Sequence, residues 1–164
     1  MPMVDAIIGE IDREAKTTQR VLERIPEDKL PWKPHPRSMT IGELGMHIAV
    51  APLVLSEVVV KDVHEFGPNP KQGEVTRQTI LDTFTKSTQK MKEVIGTFDD
   101  AKMASAITMT KDGKTIMAIP RAGFVRAIMM NHIYHHRGQL SVYLRLLDVP
   151  VPSIYGSSAD EKMF

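Results

Sequence analysis

The chain contains no cysteine among its 164 residues. This absence excludes disulfide bonds, thiolate metal ligands and a cysteine nucleophile. It fits a reducing compartment, and we expect a cytoplasmic protein. Any sulfur chemistry would have to use a thiol that another molecule supplies.

The chain also lacks an excess of charge of one sign, because 21 lysines and arginines stand against 20 acidic residues and leave a net charge of +1. Proteins that bind nucleic acid by neutralising phosphates carry a strong basic excess, so no nucleic-acid partner is predicted. The first residues carry acids early and form no continuous apolar run, which argues against a secretory signal. The longest apolar stretch, residues 46–60, is interrupted by polar residues and a proline, whereas a membrane span needs about 20 apolar residues. We therefore expect no membrane partner.

Four long amphipathic stretches dominate what is present. Apolar residues recur mostly three or four positions apart, and charged residues fill the opposite face, as in surface helices. The predicted helices cover residues 3–25, from residue 40 to between residues 60 and 64, residues 76–98, and from residue 120 to about residue 147. Helices of this length bury their apolar stripes most simply against one another. The sequence therefore predicts one all-α domain over residues 1–164, built as a four-helix bundle.

Local signals add detail to this outline. Residues 106–110 and 115–119 are β-prone and flank Asp112-Gly113, a strong two-residue hairpin turn signal, so a small β-hairpin is predicted before the last helix. Thr40, followed three residues later by Glu43, predicts a capping box at the start of the second helix, with Ser38 as the alternative cap. The preceding loop holds four prolines and the only tryptophan, Trp32, which we expect to fix the loop on the core.

Two of the six histidines have the spacing of metal ligands. His132 and His136 are four residues apart in a predicted helix, so both imidazoles lie on one face, about one turn apart. Apolar neighbours such as Ile128 and Leu140 direct that face inward. Burying two imidazoles would be costly if either were charged, and a divalent metal would bind both as neutral bases. A pair of hydrogen-bonded core or surface histidines is the alternative.

A metal site needs a third ligand, and His47 is the best candidate. It lies in an apolar part of the second helix, where Gly42 and Gly45 leave room for a close approach. Three histidines with an open fourth position are typical of catalytic zinc sites. Imidazole also suits nickel, copper and iron, so the spacing alone does not choose the metal.

Two motifs resemble those of the DinB/YfiT-like family. The first is Leu30-Pro-Trp-Lys-Pro with Arg37-Ser-Met-Thr-Ile-Gly-Glu-Leu-Gly-Met-His47, and the second is Asn131-His-Ile-Tyr-His-His-Arg-Gly-Gln139 with Val151-Pro-Ser-Ile-Tyr-Gly156. The resemblance covers nearly the whole chain. It implies an up-down-down-up bundle, often a homodimer, in which His47, His132 and His136 hold a divalent metal, with zinc and nickel expected. Ile133 departs from the family pattern, where glutamate is common, and we expect the change to affect the surroundings of the site more than the coordination.

The resemblance leaves three functions open. The first is a metal-dependent transferase that joins glutathione, mycothiol or bacillithiol to an electrophilic small molecule, with Arg137, Gln139 and Tyr143 orienting the reactants. The second is a metal-dependent hydrolase, for which Glu43 is the only obvious general base. The third is a non-catalytic, metal-binding protein of the stress response, since some relatives are named only for induction by DNA damage.

Overall fold

A computed structural model describes residues 2–67, 73 and 75–163. The chain is mostly helical and carries a small three-stranded sheet. The helices are α1 (Met3–Leu22), α2 (Ile41–Val59), α3 (Arg77–Gly96), α4 (Asp100–Ala104), α5 (Arg121–Gly123) and α6 (Asn131–Leu146). A π-helix (Phe124–Met130) joins α5 to α6, and a 3₁₀ turn (Glu27–Lys29) lies between α1 and α2. The strands are β1 (Val63–Glu65), β2 (Ala106–Lys111) and β3 (Lys114–Pro120).

Helix α1 begins where the sequence predicts and ends at Leu22 rather than at residue 25. Pro26 disfavours helical geometry in the residue before it. The chain therefore leaves the helix through tighter bonds, with the amide N of Ile25 donating to the carbonyl O of Leu22 at 3.1 Å. Ile25 is nevertheless fully buried. The apolar pattern that predicts the helix therefore continues past the end of α1.

Helix α2 has the predicted capping box. The amide N of Glu43 donates to Oγ1 of Thr40 at 3.1 Å, and the amide N of Thr40 donates to Oε2 of Glu43 at 2.7 Å. By length and composition α2 could cross a bilayer, with a mean hydropathy of 1.4, but 61% of that stretch is buried inside the protein. Burial on this scale is typical of the core helix of a folded domain.

Close packing around Gly45 draws α2 against its neighbours. A Cβ atom on Gly45 would lie 2.6 Å from Cδ1 of Ile25 and 3.0 Å from Cδ1 of Ile80 on α3. Such distances are shorter than a side chain tolerates without displacing its neighbour. The glycine therefore allows α2 and α3 to approach each other closely.

The predicted hairpin is present, and a third strand joins it. Strands β2 and β3 pair antiparallel around Asp112 and Gly113, whose φ angles are 50° and 70°, as a two-residue hairpin turn of this kind requires. Strand β1 pairs parallel with β2, and the sequence analysis missed it. The apolar spacing predicts that α2 runs to between residues 60 and 64 and is followed by a loop, whereas α2 ends at Val59. A three-residue strand whose partner lies some 45 residues away leaves little local pattern.

Arg121 explains why the chain turns from α2 into β1. Its side chain is completely buried, and Nε donates to the carbonyl O of Val59 at 2.9 Å while Nη2 donates to that of Lys61 at 2.8 Å. Nη1 donates to the carbonyl O of Ala106 at 2.7 Å. One guanidinium therefore satisfies carbonyls that the end of α2 would leave without partners, and it ties them to β2.

The last predicted helix is divided. Residues 121–146 are helical, as the sequence predicts, but seven of them, Phe124–Met130, form a π-helix. Such segments are rare and usually short, and their i→i+5 bonds leave no distinctive period in the sequence. The π-helix ends directly before α6, the helix that carries His132 and His136.

Candidate metal centre

The structure brings together the three histidines that the sequence analysis grouped. Nε2 of His47, on α2, lies 2.8 Å from Nε2 of His132 and 3.1 Å from Nε2 of His136, both on α6. One nitrogen from each ring lies within 4.8 Å of the other two. Among the described residues this is the one cluster of three or more histidine, cysteine or acidic side chains close enough to share an ion.

Helices α6 and α2 position the three histidine rings in different ways. His132 and His136 lie in the first two turns of α6, where a spacing of four places both rings on one face. Their ring centroids are 4.4 Å apart, with the planes nearly perpendicular. His47 lies in the second turn of α2, and the packing of α2 against α6 brings its ring within reach.

Gln139 fixes the orientation of one ring. Its Oε1 lies 2.7 Å from Nδ1 of His136, so the proton of a neutral His136 ring stays on Nδ1 and donates to the amide oxygen. Nε2 of His136 then presents a lone pair to the cluster. A partner on the second ring nitrogen is the usual way in which proteins orient a metal-binding histidine.

Burial keeps the three imidazoles neutral. It is the main cause that lowers the pKa of His47 below its ordinary value, and the nearby His136 adds to the effect. The pKa of His132 falls from 6.5 to about 4, first through burial and then through the neighbouring histidines. Burial also lowers the pKa of His136, although the bond to Gln139 opposes it. Neutral imidazole is the form that binds a metal ion.

The donor set fits a divalent cation. Zinc–nitrogen bonds are about 2.0–2.1 Å, so two nitrogens on one tetrahedral ion lie about 3.3 Å apart. The observed separations of 2.8 and 3.1 Å are within a few tenths of an ångström of that value. Each neutral ring has at most one Nε2 proton, so three converging Nε2 atoms cannot all satisfy one another by hydrogen bonds. A cation accepting three lone pairs removes that conflict.

The other residues singled out from the sequence have different surroundings. Glu43 is exposed and its carboxylate accepts the Thr40 amide proton of the capping box. Tyr143 is partly buried, and its hydroxyl donates to the carbonyl O of Met39 at 3.4 Å. His135 is exposed, with its ring centroid 5.0 Å from that of His136.

The buried guanidinium of Arg137 joins a polar network on the α1 side of α6, whose other members range from the buried Thr18 to the exposed Tyr155. Its Nη1 donates to Oε2 of Glu14 at 2.7 Å and to Oγ1 of Thr18 at 3.0 Å, and its Nη2 donates to the Tyr155 hydroxyl at 2.6 Å. Its carbon Cζ also lies 5.1 Å from the ring centroid of Tyr134. These contacts tie α6 to α1 and to the C-terminal segment. The sequence analysis did not find this network, because its members are far apart in the chain.

Fold and site together define a mostly helical protein with a three-histidine cluster that could hold a metal ion. The chain belongs to the DinB superfamily, whose family model matches residues 10–140. The family resemblance seen in the two sequence motifs is thereby confirmed.

The chain is also similar to three Bacillus proteins. The protein YrdA of Bacillus subtilis (strain 168) is 22% identical over 162 residues, which cover 96% of this chain and 91% of YrdA. A crystal structure of a DinB-like protein from Bacillus cereus ATCC 10987 matches with a TM-score of 0.74 at 24% identity, covering 92% of this chain and 97% of that one. The DinB-like protein YjoA of Bacillus subtilis matches with a TM-score of 0.69 at 19% identity, covering 87% and 92% of the two chains. At these identities the structural matches establish the shared fold.

Proposed function

We propose that His47, His132 and His136 hold one divalent cation, zinc or nickel, in a metal-dependent transferase that uses a low-molecular-weight thiol. The observation that supports this proposal is the convergence of three neutral imidazole nitrogens from two helices on one point. Three protein ligands leave a coordination position open for a reactant, as in catalytic zinc sites. The cluster is partly exposed, so a small molecule could reach it.

A thiol is proposed rather than water because no acidic residue lies one turn from His132 or His136 on their shared face, and since the chain has no cysteine the thiol must come from another molecule. When bound, the cation supplies the Lewis acidity that stabilises a thiol as its thiolate, the reactive form. The thiol proton leaves to solvent, the sulfur forms a bond to the electrophilic carbon, and the leaving group departs with its electron pair. Of the three residues predicted to orient the reactants, we assign Gln139 to the orientation of His136 and Arg137 to the anchoring of α6, while Tyr143 faces the α2–α6 contact.

Metal analysis and a conjugation assay test this proposal. Protein dialysed against zinc or nickel should retain one ion per chain, and His47→Ala should lose it, whereas His35→Ala, at an exposed loop histidine, should not. The loaded protein should then conjugate glutathione, bacillithiol or mycothiol to chlorodinitrobenzene. No conjugation above the His47→Ala background with any of the three thiols would reject the transferase.

Hydrolysis is the second candidate function, because a metal site with an open position can also activate water. Its weakness lies in the general base, since the carboxylate of Glu43 is held by its own capping box. If the protein hydrolyses a test ester or amide and Glu43→Gln does so equally well, Glu43 is not the base. A metal-loaded protein that turns over neither kind of substrate would support the third candidate, a non-catalytic protein of the stress response.

We further propose that α1, α2, α3 and the continuous helical segment of residues 121–146 form the up-down-down-up bundle, that the protein is a homodimer, and that it acts in the cytoplasm on a small-molecule substrate. Nucleic acid and membranes are not among its proposed partners. Light scattering coupled to gel filtration measures the oligomeric state, and a mass of one chain in solution would reject the dimer.

A further inference from the structure

Exposed and partly buried side chains follow the contact between α2 and α6 away from the three histidines. On α6, Gln139 and Tyr143 come three and seven residues after His136, so they share its face of the helix. The Tyr143 hydroxyl reaches the carbonyl O of Met39, which lies before α2 begins. Since His47 lies opposite the start of α6 and Met39 lies opposite Tyr143, the two helices run antiparallel along this contact.

Trp32 closes the far end of the contact. The amide N of Ile41 donates to the carbonyl O of Trp32 at 2.8 Å, which fixes the tryptophan backbone at the start of α2. The rings of Trp32 and Tyr143 meet edge to face, with centroids 5.7 Å apart and planes at 85°. Trp32, Met39 and Tyr143 are each partly exposed, and we call these three residues the aromatic wall.

The distance from the wall to the histidines follows from helix geometry. Tyr143 is seven residues beyond His136, which is about 10 Å at the α-helical rise of 1.5 Å per residue. A recess opens over the first turn of α2 at this same end of the helix. It is lined by Leu30, Pro31, Thr40, Gly42, Glu43 and Val75.

We propose that the aromatic wall binds the aryl or extended alkyl end of a small substrate whose reacting atom lies at the histidine cluster. This inference rests on the proposed function and names its substrate class: electrophiles with an apolar group about 10 Å from the reacting carbon. Partly exposed aromatic rings gain most from covering by another apolar group. Both rings pack against the core and stay partly exposed, and the backbone bond at Ile41 holds Trp32 in place before a ligand arrives.

Hydroxamates test the wall without relying on turnover, because they bind zinc directly. The zinc-loaded protein is titrated with acetohydroxamate, which reaches only the cluster, and with phenylpentanohydroxamate, whose four-methylene chain carries a phenyl ring toward the wall. We expect the phenyl compound to bind about tenfold more tightly or better. Trp32 is the only tryptophan, so its emission should change with the phenyl compound and stay constant with acetohydroxamate.

Two variants locate the effect. Trp32→Ala should lose the preference for the phenyl compound and keep its affinity for acetohydroxamate, whereas Val142→Ala, at a side chain that is 57% exposed beside Tyr143 in sequence, should keep both. If Trp32→Ala does not fold, the emission of the wild-type protein and Trp32→Phe carry the test. Equal affinity for the two compounds, or a preference that survives in Trp32→Ala, would overturn the inference.

The outcomes separate this inference from the proposed function. Binding of acetohydroxamate with no gain from the phenyl group overturns the aromatic wall and leaves the metal site standing. A gain from the phenyl group in a protein without thiol conjugation supports the wall and rejects only the thiol chemistry. A protein that retains no zinc and binds neither hydroxamate overturns both.

Discussion

Acidification of the metal-free protein should lower its free energy of unfolding through the histidine cluster. The pKa of His132 is about 4 in the folded protein against an ordinary value of 6.5. Between about pH 4 and pH 6.5, His132 is protonated in the unfolded chain and neutral in the folded chain. The stability contributed by the neutral ring is therefore fully present above about pH 6.5 and is lost as the pH falls toward 4.

The size of the effect follows from that pKa difference. A difference of about 2.5 pH units corresponds to about 3.4 kcal/mol at 1.36 kcal/mol per unit. Because the ring is partly exposed, solvent screening reduces this figure, and we expect about 1–2 kcal/mol from His132. His47 and His136, whose pKa values are also lowered, act in the same direction.

Urea unfolding of chelator-treated protein at about pH 7.5 and about pH 4.5 measures the loss. His132→Asn provides the comparison, because other acid-sensitive groups such as Asp62 and Asp160 contribute equally to both proteins and cancel. The variant should lose about 1–2 kcal/mol less than the wild type between the two pH values. An identical loss in the two proteins would refute the view that the cluster resists protonation.

Three further predictions concern the site and the packing around it. Gln139→Ala should weaken zinc binding about 10- to 100-fold in calorimetric titration, because His136 loses its orienting partner; unchanged affinity would contradict that role. The hydroxyl of Thr88 has no hydrogen-bond partner among the described residues, and the residue is only 7% exposed. Thr88→Val should therefore raise the free energy of unfolding by about 1 kcal/mol in urea denaturation. Thr85→Val, at an exposed position whose hydroxyl is hydrogen-bonded, should not raise it. Gly45→Ala should lower the free energy of unfolding by about 1–3 kcal/mol in chemical denaturation, because the new Cβ meets neighbours at 2.6 and 3.0 Å. Gly138→Ala, whose new Cβ meets nothing within 4 Å, should raise the free energy of unfolding by about 0.5–1 kcal/mol. Equal effects of the two substitutions would show that close packing does not explain Gly45.

The features predicted correctly are those that depend on neighbours in sequence. The capping box at Thr40 needs only residues three apart, and the turn at Asp112-Gly113 needs only two residues that tolerate positive φ. The long helices follow from apolar spacing over each stretch, which is a local property. Their ends are less well determined, because proline, tight turns and later strand pairing decide where each helix stops.

The features that the sequence analysis missed depend on partners that are distant along the chain. Strand β1 exists through its pairing with β2, and the π-helix before α6 follows no simple apolar period. Arg137 was predicted to orient the reactants, but as the residue directly after His136 it points about 100° away from that ring. Its guanidinium is instead buried with Glu14 on α1.

The sequence by itself determined that His132 and His136 share one face of a helix, since the α-helical repeat brings residues four apart together wherever the helix lies. Only the tertiary structure decided that His47, 85 residues earlier than His132, lies 2.8 Å from it. That distance depends on the antiparallel packing of α2 and α6. A helix fixes the directions of its own side chains, and the packing of separate helices fixes which of those side chains meet.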